Sequence, residues 1–266
     1  MQMVNYDDKI IEIVYTCTGG YVNYAELFLN SLKYFFPSNR KIVRIISDDA
    51  EKWKGFLDEN IIYTEVISRP TLLYPCVPIH KMYWINEIPR TNADYIFYFD
   101  ADTIFKEVPN YNWNRLFKKL DEGEVMISKH PVYISNNEAM INSYLPYFFS
   151  TNTDRNPQNA SYIEDEVYTY VITSFFGANN IEMHRICNEI VSLQKEDMIR
   201  TKPYWIPMFI DENYFNKLVC NFEKGRSNNF IFSVEQYNEM YDSDNKECDT
   251  VFMYQKNMKD YKFNRR

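Results

Sequence analysis

Residues 94 to 105, DYIFYFDADTIF, constrain the fold more than any other part of the sequence. The apolar and aromatic run from Tyr95 to Phe99 is typical of a strand buried on both faces of a parallel sheet. This strand is expected to end where Asp100 and Asp102 bracket an alanine. In extended chain, residues i and i+2 point the same way, so both carboxylates would face one point beyond the strand. A divalent cation, an Arg or Lys side chain, or water would relieve their repulsion.

Segments with strand and helix patterns alternate along the chain. In the first hundred residues, strands are predicted at 9–16, 41–47 and 61–68 and helices at 21–36 and 79–88, before the strand with the DAD motif. Further strands are predicted at 124–131 and 168–178, and a helix at 180–200. This order predicts an α/β fold with a mostly parallel central sheet flanked by helices. Ligands of such sheets bind beyond the carboxyl ends of the strands, where Gly19-Gly20 and the DAD motif are expected.

Composition narrows the class of protein. A formal charge of −8 and a pI near 5.1 argue against nucleic acid and anionic membranes as general partners. The five cysteines are scattered and form no CxxC pair, which indicates reduced thiols. We find no signal-peptide pattern and no apolar run long enough to span a bilayer. These features predict a cytoplasmic protein without a transmembrane segment.

The two aspartates of the DAD motif are of the type that holds a divalent cation beside a diphosphate. Hard divalent cations take oxygen ligands, and one or two carboxylates commonly bridge them to phosphate oxygens. A metal held in this way can stabilise a departing diphosphate, as sugar-nucleotide enzymes require. The alternative is that Asp100 and Asp102 only end a strand in solvent or cap a helix.

Several further stretches give the chain a resemblance to a known family. In order, they are YVNYAELFLNSLKYFF, IHKMYWI, DYIFYFDAD, SKHP, DRNPQNASYI, SFFGA, IDENYFNKLV and QKN. Their order and spacing resemble the family 6 glycosyltransferases, which include the histo-blood-group A and B transferases, α1,3-galactosyltransferase and bacterial relatives. The resemblance implies one GT-A domain over 1–266, with a nucleotide-binding half (1–105), an acceptor and catalytic half (106–250) and a C-terminal lid (251–266).

The same resemblance implies a reaction and its partners. The enzyme would transfer galactose or GalNAc, with retention, from a UDP-sugar to the 3-hydroxyl of a β-galactoside or a fucosylated galactoside. The product would be part of a surface glycan, such as a lipopolysaccharide that mimics host glycans. A lipid-linked acceptor would bring it to the membrane surface. Two alternatives remain open: another retaining GT-A transferase, such as a glucosyltransferase or a family 8 galactosyltransferase, and a non-catalytic module that binds sugar nucleotides.

The resemblance also implies roles for individual residues. The metal, manganese or magnesium, would be held by Asp100 and Asp102. The donor would also contact a set of residues on several segments, namely Thr16, Cys17, Thr18, Tyr21, Lys81, Asp211 and Lys256. Glu212 would lie under the anomeric carbon, as a nucleophile or as a carboxylate that stabilises an oxocarbenium-like centre. The acceptor side would be formed by His130, Ile172, Ser174, Phe209 and Glu212.

The chain departs from the family pattern at three places, and two of these departures affect specificity. Phe209-Ile210 stand where the family has Trp-His, which bears on donor choice and acceptor geometry. Ser174 replaces a glycine or alanine and narrows the room near the sugar's 2-position, which mildly favours galactose over GalNAc. Lys81 replaces an arginine and offers a point charge instead of a two-pronged contact. The roles also have simpler alternatives. Asp211 and Glu212 could be ordinary acids in the first turn of a predicted helix, and His130 a solvated loop histidine. The C-terminal segment could be a frayed end.

Overall fold

The computed structural model describes residues 5–49, 51–53, 56, 58–72, 76–131, 157–165, 169–200, 210–226, 229–240 and 252–254. Its centre is a sheet of seven strands in the order β3-β2-β1-β4-β7-β6-β8. These strands are β1 Ile10–Cys17, β2 Arg40–Ser47, β3 Ile61–Ser68, β4 Tyr95–Asp100, β6 Glu124–Lys129, β7 Val171–Asn179 and β8 Ile231–Glu235. Only β7 runs antiparallel to its neighbours, so the predicted α/β class with a mostly parallel sheet is confirmed.

Helices cover both faces of this sheet. They are α1 Ala25–Ser31, α2 Cys76–Glu87, α3 Trp113–Asp121, α4 Asn180–Arg200 and α5 Ile210–Glu223. One apolar core joins α1 and α3 to the sheet, and a second core on the opposite face joins α2, α4 and α5 to it. Among the described residues, none of the helices combines the length and apolarity needed to cross a lipid bilayer.

The central strands are buried as their composition requires. The side chains from Tyr95 to Phe99 are at most 2% exposed, and they alternate between the two cores. The sheet is tight where β4 meets β7, because a Cβ on Gly177 would lie 2.1 Å from a ring carbon of Phe97. A glycine is therefore required in the SFFGA stretch at this point.

Some elements differ from the sequence prediction. The single helix predicted at 21–36 is instead a 3-10 helix at Gly19–Tyr24, the short helix α1 and a second 3-10 turn at Leu32–Tyr34. Glycine and the aromatic and β-branched residues at its start are weak helix formers, which favours the irregular first turns. The sequence analysis also missed α3, β8 and a three-stranded sheet made of β5 Thr103–Phe105, β9 Asn238–Met240 and β10 Phe252–Tyr254.

Candidate functional site

The candidate site lies where the strand order reverses direction. From β1, the chain adds β2 and β3 on one side and then returns to place β4 on the other side. In open α/β sheets, such a reversal leaves a crevice beyond the carboxyl ends of the strands, and ligands bind there. Thr16 near the end of β1 pairs with Asp100 at the end of β4, so the two predicted donor segments are neighbours in space.

Lys81 stands at the centre of the charged groups in this crevice. It projects from α2, and its ammonium nitrogen lies 2.7 Å from Oδ2 of Asp211 and 3.1 Å from Oδ1 of Asp100. Its third contact is the backbone carbonyl of Thr173, at 3.2 Å. A lysine ammonium has three protons, so all of them have an acceptor. The cation therefore joins the DAD motif to the IDEN segment.

The protonation of Lys81 follows from these contacts. Burial lowers the pKa of Lys81, but the carboxylates of Asp100 and Asp211 outweigh it, so the pKa lies above its usual value. The ammonium also lies 4.8 Å from the centre of the Tyr98 ring, which is a favourable cation–π position. Lys81 is consequently a permanent cation in this cluster, although its side chain is only 6% exposed.

Asp100 is partly exposed and is held through one oxygen. Tyr98 is two residues earlier on β4 and on the same side of the strand, and its hydroxyl donates to Oδ1 of Asp100 at 2.7 Å. Lys81 contacts the same oxygen. Within the described part of the chain, the contacts of Asp100 leave Oδ2 for a ligand or for water.

The second carboxylate of the motif is placed differently from the sequence expectation. Strand β4 ends at Asp100, and Ala101 and Asp102 form a turn before β5. Extended-chain geometry therefore does not apply to Asp102, and the assumption that alternation alone aims both carboxylates at one point is wrong. Asp102 is 7% exposed and lies near Tyr15, whose hydroxyl donates to the carbonyl of Ala101 at 2.7 Å. Burial raises the pKa of Tyr15, and the charge of Asp102 raises it further.

Carboxylate oxygens are the type of ligand that magnesium and manganese prefer, and Asp100 and Asp102 both carry them. Among the described residues there is no group of three or more His, Cys, Asp and Glu side chains that could hold a metal. A site for magnesium or manganese needs fewer protein ligands than that, because such ions keep water molecules and bind phosphate oxygens. Asp100 and Asp102 would then supply the protein ligands.

Strand β7 fixes the first turn of α5. The hydroxyl of Thr173 donates to Oδ2 of Asp211 at 2.8 Å. One helical turn later, Asn216 accepts from the backbone N–H of Val171 at 2.9 Å and donates to its carbonyl at 3.0 Å. The same amide donates to the carbonyl of Glu212 at 2.9 Å. Asp211 and Glu212 are thus first-turn acids, as the simple alternative supposed, but they also face the charged cluster.

Glu212 is a partly buried carboxyl with an unusual environment. The hydroxyl of Tyr170 donates to its Oε1. Burial raises the pKa of Glu212 to about 8; the charges of Asp211 and Asp100 act in the same direction, while Lys81 and the Tyr170 hydrogen bond oppose them. A carboxyl with such a pKa, beside a crevice, is a candidate for a functional group.

His130 is buried close to the same tyrosine. Its backbone N–H donates to the carbonyl of Tyr170 at 3.1 Å, and the two rings are 5.9 Å apart, edge to face. Burial lowers the pKa of His130 to about 3, so the imidazole is neutral at physiological pH. Because its side chain is only 8% exposed, the simple alternative of a solvated loop histidine is excluded.

The loop after β1 is braced by residues of the neighbouring strands. Gly19 has φ +58, and its N–H donates to both carboxylate oxygens of Asp48, each at 3.1 Å. The hydroxyl of Thr71 donates to the same carboxylate, which lowers the pKa of Asp48. Asp48 follows β2 and Thr71 follows β3, so the ends of three strands are connected at this edge.

The predicted donor residues on this loop have different exposures. Thr16, Cys17 and Thr18 have buried side chains, whereas Tyr21 is 46% exposed. Burial raises the pKa of the Cys17 thiol to about 12, so this cysteine is neutral. The exposed ring of Tyr21 and the backbone of the loop are therefore the groups that a base could contact here.

The predicted acceptor residues are only partly covered by the structure. Ile172 and Ser174 lie on β7 around Thr173, at a break in the register between β6 and β7: Ile127 pairs with Phe176, whereas Ser128 pairs with Ile172. Bulges of this kind are common next to active sites, where they redirect side chains. Phe209 and Lys256 lie outside the described residues.

Three residues of the cluster were missed by the sequence analysis. They are Tyr98, Tyr170 and Thr173, which contact Asp100, Glu212 and Asp211 respectively. Tyr98 had a sequence signal, because it precedes Asp100 by two positions on one predicted strand, and Thr173 lies between the predicted acceptor residues Ile172 and Ser174. The partners of Tyr170 and Thr173 are more than thirty residues away along the chain.

Comparison with known proteins adds no family or relative to this description. No model of a known protein family matches the chain, and no curated protein matches it. Function is therefore inferred from the geometry of the crevice.

Proposed function

We propose that this chain is a retaining glycosyltransferase of the GT-A type that transfers galactose or GalNAc from a UDP-sugar to the 3-hydroxyl of a β-galactoside. The observation that carries the proposal is the bridge that Lys81 forms between Asp100 and Asp211. It brings the DAD turn and the first turn of α5 together at the reversal of the strand order. A diphosphate binding at the first and a sugar binding at the second would then be adjacent.

The donor would lie across the crevice in a defined direction. The uridine would contact the loop after β1, including the exposed ring of Tyr21. The diphosphate would lie beside Asp100 and Asp102, where a manganese or magnesium ion, when bound, would stabilise the negative charge of the departing diphosphate. The sugar would extend toward Asp211 and Glu212. Lys81 holds the two aspartates in place and offsets part of their mutual repulsion.

Glu212 is the residue proposed to act at the anomeric carbon. Retention requires a group on the face of the sugar opposite the diphosphate, either as a nucleophile or as a stabilising carboxylate. Both roles require the ionised carboxylate, and the pKa of Glu212 is about 8. Turnover should therefore rise as the pH increases toward 8.

The proposal is tested by incubating the chain with UDP-galactose, UDP-GalNAc or UDP-glucose, each with manganese and with β-galactoside acceptors. The expected result is turnover of UDP-galactose or UDP-GalNAc with an α-linked product. Preference for UDP-glucose would indicate a different GT-A transferase. Binding of UDP without turnover of any donor would instead indicate a binding module.

A further inference from the structure

The side chain of Glu212 is held by one residue that the assignment above does not use. Tyr170 lies next to the start of β7, its side chain is fully buried, and its hydroxyl donates to Oε1 of Glu212. Glu212 itself is partly exposed. Among the described residues, Tyr170 is the side chain that contacts the Glu212 carboxyl, and its hydrogen bond is made to Oε1 and not to Oε2.

The hydrogen bond from Tyr170 is not required to attach α5 to the sheet. Asn216 already joins the helix to β7 through both backbone groups of Val171, and it also binds the carbonyl of Glu212. Thr173 makes a further connection to Asp211. Because these bonds fix the backbone of the first turn, the bond from the Tyr170 hydroxyl bears on the orientation of the Glu212 side chain.

We propose that Tyr170 is a positioning residue that holds Oε1 of Glu212 and thereby presents Oε2 to the anomeric carbon of the bound sugar. The hydrogen bond between Tyr170 and Glu212 is seen in the structure. That Oε2 faces an anomeric carbon rests on the proposed function. A carboxylate without this bond would rotate about its side-chain torsions, and a displacement of about 1 Å at a reacting group costs on the order of a hundredfold in rate.

Several charged and titratable groups on the surrounding elements affect the pKa of Glu212. They are Asp100 on β4, Lys81 on α2, Asp211 on α5 and the hydroxyl of Tyr170. His130, which follows β6, contacts the Tyr170 ring and is neutral because burial lowers its pKa to about 3. The hydrogen bond from Tyr170 favours the ionised form of Glu212, so its removal should raise the pKa of this carboxyl further.

The first test needs no substrate. The carboxyl carbons of glutamate are labelled with ¹³C, the Glu212 resonance is identified by its loss in Glu212→Gln, and its titration is followed in the wild type and in Tyr170→Phe. We expect the titration to move to higher pH in Tyr170→Phe. The matched control is Tyr214→Phe, which removes the hydroxyl of another buried tyrosine, one that donates to Asp197 at 2.6 Å. Equal titrations in the wild type and in Tyr170→Phe would overturn the proposal.

The second test measures turnover with UDP-galactose. In Tyr170→Phe, kcat should fall roughly tenfold to a hundredfold while the KM for the donor stays within about twofold. Tyr214→Phe should retain the wild-type kcat. A shifted titration with unchanged kcat would overturn the positioning role. Absence of turnover in the wild type would defeat the proposed function, and the role toward a sugar with it, while the titration would still decide whether Tyr170 holds Glu212.

Discussion

Replacement of Lys81 by methionine is the most direct test of the charged cluster. Methionine has about the length of the apolar stem of the lysine side chain but lacks the ammonium that binds Asp100, Asp211 and the carbonyl of Thr173. The side chains of Lys81 and Asp211 are each 6% exposed, so water cannot replace the lost contact with Asp211 easily. Asp100 is 35% exposed and would recover part of its solvation.

The expected loss of stability follows from this difference in exposure. Removing one partner of a buried ion pair costs about 3–5 kcal/mol, and we expect the lower end, about 3 kcal/mol, because only Asp211 is left buried without its cation. For a chain of this size, that corresponds to a fall in melting temperature of roughly 6–12 °C. Binding of UDP should weaken as well, because Asp100 and Asp211 would repel each other without the cation.

The assay is thermal unfolding of the wild type, Lys81→Met and two further variants. Lys118→Met is the control, because this lysine is 74% exposed and only 3.9 Å from its partner Glu122, so its loss should change stability by less than about 0.5 kcal/mol. The double variant Lys81→Met/Asp211→Asn removes the unpaired charge and should be more stable than the sum of the single changes predicts. A melting temperature of Lys81→Met equal to that of the wild type, or strict additivity in the double variant, would refute the bridge.

Three other predictions concern the same crevice. Glu212→Gln should abolish most turnover while donor binding remains. The folded-state pKa of Glu212, about 8, exceeds the usual 4.5, so the wild type loses stability as the pH rises between these values. The melting temperature of the variant should therefore exceed that of the wild type at pH 8.5 but not at pH 4. Persistent turnover would refute the catalytic assignment. Asp102→Asn should weaken manganese and UDP binding together in calorimetric titrations, and full wild-type activity in a chelator would disprove the metal. Asp48→Ala should remove the hydrogen bonds to the Gly19 N–H and weaken UDP binding about tenfold (about 1.4 kcal/mol), whereas Asp49→Ala should leave UDP binding unchanged. Equal UDP affinities of Asp48→Ala and the wild type would show that these hydrogen bonds are not needed for binding.

Much of the fold was readable from local patterns. The apolar runs that end at Cys17, Ser47 and Asp100 are strands buried on both faces, and this is a property of each segment by itself. The position of the DAD motif at the end of a strand followed in the same way. The helix with Asp211 and Glu212 in its first turn was also expected, because acids favour the first turn of a helix. What failed was the detail that depends on backbone geometry beyond a segment, such as the turn that contains Asp102.

The sequence by itself determined the class of fold and the segments that end at the crevice, since hydrophobic periodicity and strand ends are local properties of the chain. Only the tertiary structure decided that Lys81 of α2 would bridge Asp100 and Asp211, and that Tyr170 would hold Glu212. These contacts depend on the order of the strands and on the irregular pairing between β6 and β7. Neither leaves a periodic signal, because each joins residues whose separation along the chain is unrelated to their distance in space.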